Sequence, residues 1–195
     1  MSKRTTYLAA AIVGALFATS AMVPAFAQDK MKGEKTVMVG GAPMYPTKNI
    51  VQNAVNSKDH TTLVAAVKAA GLVDTLQSAG PFTVFAPVNA AFAKLPAGTV
   101  DTLLKPENKG TLTTVLTYHV VPGRLTAANL MKAVKDGGGK ATFKTVAGGE
   151  ITVTSPSAGK LEITDAKGGT SMVTITDVLQ SNGVIHVVNS VLLPS

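Results

Sequence analysis

The sequence predicts an α+β domain in which helices come first and most strands come last. Apolar residues recur at helical spacing through much of the chain between Thr47 and Val134. After residue 136, glycine-containing turns separate five short runs rich in valine, isoleucine and threonine. Because the two patterns are segregated along the chain and no internal repeat is evident, we expect one α+β domain.

The first 27 residues have the features of a signal peptide. Lys3 and Arg4 provide a positive start, residues 7–17 form an apolar run, and residues 25–27 are a small-x-small cleavage site. The run is shorter than the roughly 20 apolar residues that a membrane span needs. We therefore predict an exported protein, periplasmic or extracellular, without a membrane span.

Composition limits the classes of partner. The chain has 195 residues, no cysteine and a formal net charge of +7, so the core must hold the fold without disulfides. The basic residues are scattered lysines, and Arg124 is the only arginine after the leader. Direct base readout favours arginine, so we expect no nucleic acid. A modest positive field suits an anionic polysaccharide, an acidic partner or a cell envelope.

Residues 28–46 are predicted to form a linker or N-terminal arm, which leaves residues 47–195 as the domain. This arm contains several lysines, glycines and prolines, and residues 37–39 are expected to pack on the domain as a short strand. Methionines can bind soft Cu(I). However, Met31, Met38 and Met44 are too widely spaced and have no histidine nearby, so no cofactor is expected.

The helical part begins with two amphipathic segments. The first carries apolar residues at positions 50, 51, 54 and 55, with Thr47 as its N-cap. The second spans residues 61–70, with Asp59 as its cap and Gly71 as its stop signal. Further short helices are predicted around residues 72–76, 90–94, 100–104, 107–117 and 126–134.

The predicted strands are short and rich in β-branched residues. Residues 82–85 form one that stops at Pro87, after which Asn89 is expected to cap its own helix. Residues 120–123 should form a strand followed by a turn. The five late strands are predicted at residues 141–146, 151–154, 161–164, 172–178 and 184–188, with strict alternation in residues 151–154 and 173–176. Asn182-Gly183 is a typical two-residue hairpin turn.

Catalytic and metal-binding patterns are missing from the sequence. His60, His119 and His186 lack metal-ligand spacing; His60 is expected to be exposed at a helix start, and the other two to be structural. No Gly-x-Ser-x-Gly motif occurs, and the glycines at 137–139 lack the following Lys-Ser/Thr of a phosphate loop. We therefore predict no enzyme, unless Tyr118, His119 and a carboxylate converge in an open cleft.

Three ordered segments carry a family resemblance. They are residues 83–92, the pair Tyr118-His119, and residues 182–194. In this order they resemble the two signature boxes and the Tyr-His motif of the fasciclin domain; Val88, where the family usually has a small polar residue, is a minor departure. The residues that match the signature are Thr83, Phe85, Ala86, Pro87, Asn89, Phe92, Asn182, Gly183 and His186.

The resemblance implies a wedge of two packed β-sheets, about seven strands in all, with helices on one side. It also implies a non-enzymatic adhesion module whose partner is a cell-surface or matrix protein or polysaccharide. By the same resemblance, Tyr118 and His119 are interaction or scaffold residues. Asp177 and Val178 match a position that animal members use in integrin recognition. The alternative is a carrier of an apolar small molecule, such as a carotenoid, in a groove between helices and sheet.

Overall fold

The computed structural model describes residues 36–194, and the predicted leader lies outside them. The helices in this part are α1 Ile50–Ala54, α2 Thr61–Ala70, α3 Val73–Gln77, α4 Asn89–Ala93, α5 Thr99–Leu104, α6 Lys109–Tyr118 and α7 Ala127–Asp136. The strands are β1 Val37–Val39, β2 Ala42–Met44, β3 Phe82–Pro87, β4 Val120–Pro122, β5 Lys140–Lys144, β6 Glu150–Thr154, β7 Glu162–Thr164, β8 Thr170–Gln180 and β9 Gly183–Val188. The α+β prediction is confirmed.

Seven strands form one continuous ladder in the order β4-β3-β9-β8-β7-β6-β5. All neighbours are antiparallel except β3 and β9, which are parallel. Strand β8 belongs to both halves of the ladder: residues 170–172 pair with β7, and the remainder pairs with β9 through irregularities between Val173 and Val178. Bulges bend a strand and increase its twist, so the ladder divides at β8 into the two sheet halves of a wedge.

The central pair β3 and β9 is covered on both faces. Every residue of β9 is buried, as is typical of parallel strands packed between two layers. On one face, Val84 and Ala86 join a buried cluster with the helices. On the other, Phe85 joins a second cluster with Ile151 of β6 and Leu130 of α7. The two cores therefore share these strands as their common wall.

Helix ends follow the local sequence, with two corrections. Gly71 ends α2 in the left-handed conformation, with φ 73°, as predicted. The helix predicted at residues 126–134 begins one residue later, at Ala127, and Thr126 is its N-cap. The cap of α1 is Asn49 rather than Thr47, because Asn49 and Gln52 form a capping box. Asp59 does not cap α2 either, since it lies within a 3₁₀ turn that precedes the helix.

The arm docks on the domain at residues 37–44. Strands β1 and β2 pair as a hairpin, with Val39 and Met44 buried in the helix-side core and Met38 exposed. Burying these two apolar side chains stabilises the hairpin against the helices. The short strand predicted at residues 37–39 is confirmed.

Two β-sheet predictions need qualification. In β6, Ile151 and Val153 are fully buried, as strict alternation predicts, whereas Ile175 in β8 is only half-buried because the bulges interrupt the alternation. The β8–β9 turn consists of residues 181–182, so Gly183 is not a turn residue. Gly183 lies in β9, where a Cβ atom would overlap the carbonyl oxygen of Phe82.

Candidate functional site

Tyr118 lies in the interior and joins two turns. It has no exposed surface, its hydroxyl donates to the Glu150 carbonyl at 2.5 Å, and it accepts from the Ala166 N–H at 2.9 Å. Gly149 lies so close to the ring that a Cβ atom there would be 2.8 Å from it. Burial raises the pKa of Tyr118, so it remains a hydroxyl donor at neutral pH. Tyr118 thus supports the turns at residues 145–149 and 165–169.

His119 braces the C-terminal segment. Its Nδ1–H donates to the Val115 carbonyl at 2.8 Å, and its Nε2 accepts from the Leu192 N–H at 2.9 Å. Both ring nitrogens are therefore used by the neutral form. Burial lowers the pKa of His119 to about 4, against smaller opposing effects from the Val115 backbone and Asp165. The sequence left open whether Tyr118 and His119 are interaction or scaffold residues, and their contacts favour the scaffold role.

Asp165 completes this buried group. One carboxylate oxygen accepts from the N–H groups of Lys167 and Gly169, and the other accepts from Leu193. Tyr118, His119 and this carboxylate therefore converge, but all three are buried and bonded to backbone. The arrangement holds loops together and offers no open cleft to a substrate.

A second buried histidine, His186, packs on the sheet face that carries Phe85. His186 stacks on Phe85 with ring centroids 5.7 Å apart. Its Nε2–H donates to the Leu125 carbonyl at 2.7 Å, and its Nδ1 faces the Asp177 N–H at 3.4 Å. Burial lowers the pKa of His186. The structural role predicted for this residue agrees with these contacts.

Asp177 occupies a strained turn inside β8. Its φ is 56°, and its carboxylate accepts from the Ala127 N–H at 2.7 Å at the start of α7. Aspartate tolerates this left-handed conformation better than most residues. Val178 is buried, with 1% of its surface exposed. Asp177 thus has an internal structural contact, and its role in recognising a receptor stays a prediction.

Asn89 caps a helix other than the one predicted. The helix that begins at Asn89 has no side-chain cap. Instead, Asn89 Oδ1 accepts from the Thr62 N–H at 3.0 Å and the Thr61 hydroxyl at 3.2 Å, and Nδ2 donates to the Lys58 carbonyl at 2.8 Å. It therefore joins the end of β3 to the start of α2, a long-range contact that local sequence does not reveal.

Two other polar signature residues also bind backbone. Thr83 donates to the Gly123 carbonyl at 2.7 Å and accepts from the Leu125 N–H at 2.8 Å. Asn182 accepts from the Ile50 N–H at 3.1 Å, and its amide donates to the carbonyls of residues 76 and 78. Both residues tie segments that are distant along the chain. The apolar signature residues Phe85, Ala86, Pro87 and Phe92 are buried.

His60 is buried, so the prediction of an exposed residue was wrong. Only 3% of it is exposed, because the 3₁₀ turn of residues 58–60 directs it beneath α2. Its Nδ1 lies 2.9 Å from the Ser57 hydroxyl, whereas its Nε2 has no hydrogen-bond partner. Burial lowers the pKa of His60, although the Ala86 backbone and Asp59 favour the charged form to a smaller extent.

His60 lines an apolar cavity between the helical layer and the sheet. The cavity has a volume of about 50 Å³. Its walls come from β1, β2, α1, α2, α3, β3, α6, β4, β8 and β9, and almost all the lining atoms are apolar. The apolar stripes of α1 and α2, which form part of these walls, were predictable from the sequence. The inward orientation of His60 was not.

Residues 36–194 contain neither a metal-binding cluster nor a membrane-spanning helix. No three histidine, aspartate or glutamate side chains in this range are placed to hold a metal ion. No helix in the same range is long and apolar enough to cross a membrane.

Comparison with known proteins connects this fold to a family. The fasciclin domain family matches residues 58–194. Protein sll1483 of Synechocystis sp. is 45% identical over 163 residues, which are 83% of this chain and 82% of the relative. Immunogenic protein MPB70 of Mycobacterium bovis is 39% identical over 146 residues, which are 72% of this chain and 66% of the relative.

A solved structure shares the fold. It contains a FAS1 domain pair from the insect cell adhesion molecule fasciclin I, and it aligns with a TM-score of 0.67 at 20% identity. The alignment covers 76% of this chain and 52% of the solved chain, so this chain spans about half of the domain pair. At this identity the likeness concerns the fold.

Proposed function

The chain belongs to the fasciclin domain family, and on that basis we propose that it is an exported, non-enzymatic module that binds cell-surface, envelope or matrix components. The observation that carries this proposal is the internal use of its reactive side chains. Tyr118, His119, His186 and Asp165 are buried and bonded to backbone groups. Side chains bonded in this way position loops and leave recognition to the surface.

The surface above Tyr118 is the proposed contact region. Tyr118 bonds to Glu150, which directly follows the turn at residues 145–149, and to Ala166 in the turn at residues 165–169, so it sets their relative position. Val146 is 46% exposed on the first turn, and Lys167 is exposed on the second. An exposed valine on one turn and an exposed lysine on the other suit a partner with apolar and anionic groups. We call Val146 and Lys167 the turn surface.

Retention experiments test this proposal. The chain from residue 28 onward would be labelled and applied to envelope fractions and matrix polysaccharides of the source organism. Val146→Asp and Lys167→Glu should each reduce retention at least about fivefold while changing stability by less than about 0.5 kcal/mol. Met38→Asp, at an exposed site on the β1–β2 hairpin, is the control and should retain full binding.

Either of two results would contradict this proposal. Wild-type protein that is retained by no fraction would contradict the binding function itself. Equal loss of retention in Met38→Asp and in the two turn variants would contradict the location, because it would show a general effect of added negative charge.

The apolar cavity supports a second candidate function, carriage of an apolar small molecule. Ligand sites are typically concave and apolar with few polar groups, and the cavity beneath α1 and α2 has this character. Protein purified from its source organism should then carry an extractable apolar ligand in stoichiometric amount. A visible spectrum and mass spectrometry of an organic extract would detect it, and repeated ligand-free preparations would contradict carriage.

A further inference from the structure

The cavity between the helices and the sheet contains one hydrogen-bonding atom without a partner. Among the residues described, His60 Nε2 is the buried side-chain nitrogen or oxygen for which no partner is found. The other histidine in the lining, His119, uses both ring nitrogens within the fold. A buried polar atom without a partner destabilises the fold. At a cavity wall, a bound molecule can supply the missing partner.

The Ser57 contact determines the proton on His60. The only hydrogen bond of the Ser57 hydroxyl that the structure shows is to His60 Nδ1, at 2.9 Å. If the hydroxyl donates, Nδ1 accepts and the ring proton is on Nε2. The opposite arrangement would leave both the hydroxyl proton and the Nε2 lone pair unused. The first arrangement leaves fewer groups unsatisfied, so Nε2–H is a donor and the missing partner is an acceptor.

A water molecule fits this place poorly. A buried water makes about three hydrogen bonds, typically two to four, whereas the cavity wall offers the single free donor of His60. The Ala86 backbone is close to the ring, but it does not meet hydrogen-bond geometry at Nε2. An apolar molecule that carries one hydrogen-bond acceptor would both bind His60 Nε2–H and fill the apolar space.

The surroundings of His60 disfavour an ionised headgroup there. Nearly all of the lining is apolar, and its charged residue, Lys68, is exposed to solvent on α2. Burying a carboxylate beside a neutral imidazole would carry a large desolvation cost. A ketone, ether or hydroxyl oxygen avoids that cost.

We propose that this cavity takes the oxygen-bearing end of a neutral, otherwise apolar molecule, and that His60 Nε2–H donates to its oxygen. The inference rests on the second candidate function, carriage of an apolar molecule, and adds the chemical class that the site selects. At about 50 Å³, the cavity is smaller than the roughly 150 Å³ that accommodates benzene, so it holds a chain end of a few heavy atoms. The rest of a longer ligand would lie along the half-buried valines of α1 and α2, Val51 and Val64.

Two probes of nearly equal shape test the proposal. Acetone has a carbonyl oxygen where 2-methylpropene has a methylene group, so the pair differs in the acceptor and is small enough for the cavity. Dissociation constants for both would be measured by NMR titration of the wild-type protein and of His60→Phe. The wild-type ratio of ketone to alkene affinity should fall about threefold to tenfold in His60→Phe, which is the value of one hydrogen bond. Comparing ratios removes the difference in hydration between the probes.

Val64→Ala serves as the control for cavity shape. It removes apolar contacts and keeps the donor, so both affinities should fall while their ratio stays within about twofold. An unchanged ratio in His60→Phe, with both probes bound, would overturn the acceptor inference and leave apolar carriage intact. Failure of both probes to bind the wild type would overturn the site and count against carriage as well.

A measurement without substitution covers the case in which His60→Phe does not fold. The ring nitrogens of His60 can be observed by nitrogen-15 NMR in the wild-type protein. Nε2 should appear as the protonated nitrogen and should shift on addition of acetone more than on addition of 2-methylpropene. A proton on Nδ1, or equal shifts with both probes, would overturn the inference.

Discussion

Asn89 and Thr62 are joined by a hydrogen bond through which the first residue of α4 caps helix α2. Asn89 Oδ1 accepts from the Thr62 N–H at 3.0 Å, across 27 positions of sequence. A free N–H group at a helix start is normally satisfied by a nearby residue. Here the same side chain also donates to the Lys58 carbonyl, so it fixes the 3₁₀ turn relative to α2. Because His60 belongs to that turn, its position is fixed as well.

Replacing Asn89 should destabilise the domain through α2. Asn89→Ala removes the cap and leaves the Thr62 N–H and the Lys58 carbonyl without this partner, so the free energy of unfolding should fall by about 2 kcal/mol. Urea denaturation followed by circular dichroism measures the change. Asn129→Ala, at an exposed position of α7, should stay within about 0.5 kcal/mol. Equal effects of the two variants would show that the long-range cap has no energetic value.

Gly183 and Gly110 should respond in opposite directions to alanine. A Cβ atom at Gly183 would overlap the Phe82 carbonyl oxygen, whereas Gly110 lies in α6 with open space around it. We expect Gly183→Ala to lower the free energy of unfolding by at least about 2 kcal/mol. Gly110→Ala should raise it by about 0.5–1 kcal/mol. Thermal and urea unfolding would show both, and a Gly183→Ala protein of wild-type stability would contradict the close contact of β3 and β9.

Stability should fall between about pH 6.5 and pH 4 because of His119. Its pKa is about 4 in the fold and near 6.5 in the unfolded chain, so the unfolded chain binds more protons in this interval. Stability therefore decreases as the pH falls through it, by about 3 kcal/mol in total for this group, and levels off below the folded pKa. Burial lowers the pKa of His60 and His186 as well, which adds losses of the same sign.

Denaturant unfolding at a series of pH values would measure this dependence. His119→Gln should be less stable at pH 7, yet should show a shallower slope between pH 6.5 and 4. An NMR titration of the wild-type ring with a midpoint near 6.5 would contradict the buried, neutral state of His119.

Asp177 offers a test that separates structure from recognition. Asp177→Asn keeps an acceptor for the Ala127 N–H and tolerates φ 56°, so stability should change by less than about 1 kcal/mol. Asp177→Val loses the acceptor and is strained at this φ, so it should cost about 2 kcal/mol or more. Loss of partner binding in a stable Asp177→Asn protein would show a receptor contact. Full binding in Asp177→Asn would leave Asp177 as a structural residue.

Much of the fold followed from local patterns. The limits of α2 were predictable because an apolar stripe ends at Gly71, and β6 because Ile151 and Val153 alternate with threonines. The predictions failed where a side chain acts on a distant segment. Asn89 is a residue type that often caps its own helix, but its side chain binds the start of α2. Gly183 follows an asparagine as in a hairpin turn, but it lies in β9, where the Phe82 carbonyl leaves no room for a side chain.

The candidate sites were less predictable than the fold. His60 follows Lys58 and Asp59, so its neighbours indicated an exposed position, and only the 3₁₀ turn places it inside. The Tyr118-His119 pair was identified from its sequence. Its scaffold contacts depend on residues such as Ala166 and Leu192, which are distant in sequence, and no spacing rule connects them.

The parallel pairing of β3 with β9 has a consequence for synthesis of the chain. Phe82 pairs with Gly183, roughly a hundred residues later, so the strand that completes the centre of the ladder is far from β3 in sequence. During translation, one edge of β3 therefore lacks its parallel neighbour until the residues between the two strands and β9 itself have been synthesised. Pairings of such long sequence separation form slowly, and an uncovered apolar strand edge invites association with other chains. Shielding of residues 82–87 in the nascent chain thus becomes a requirement for producing this protein.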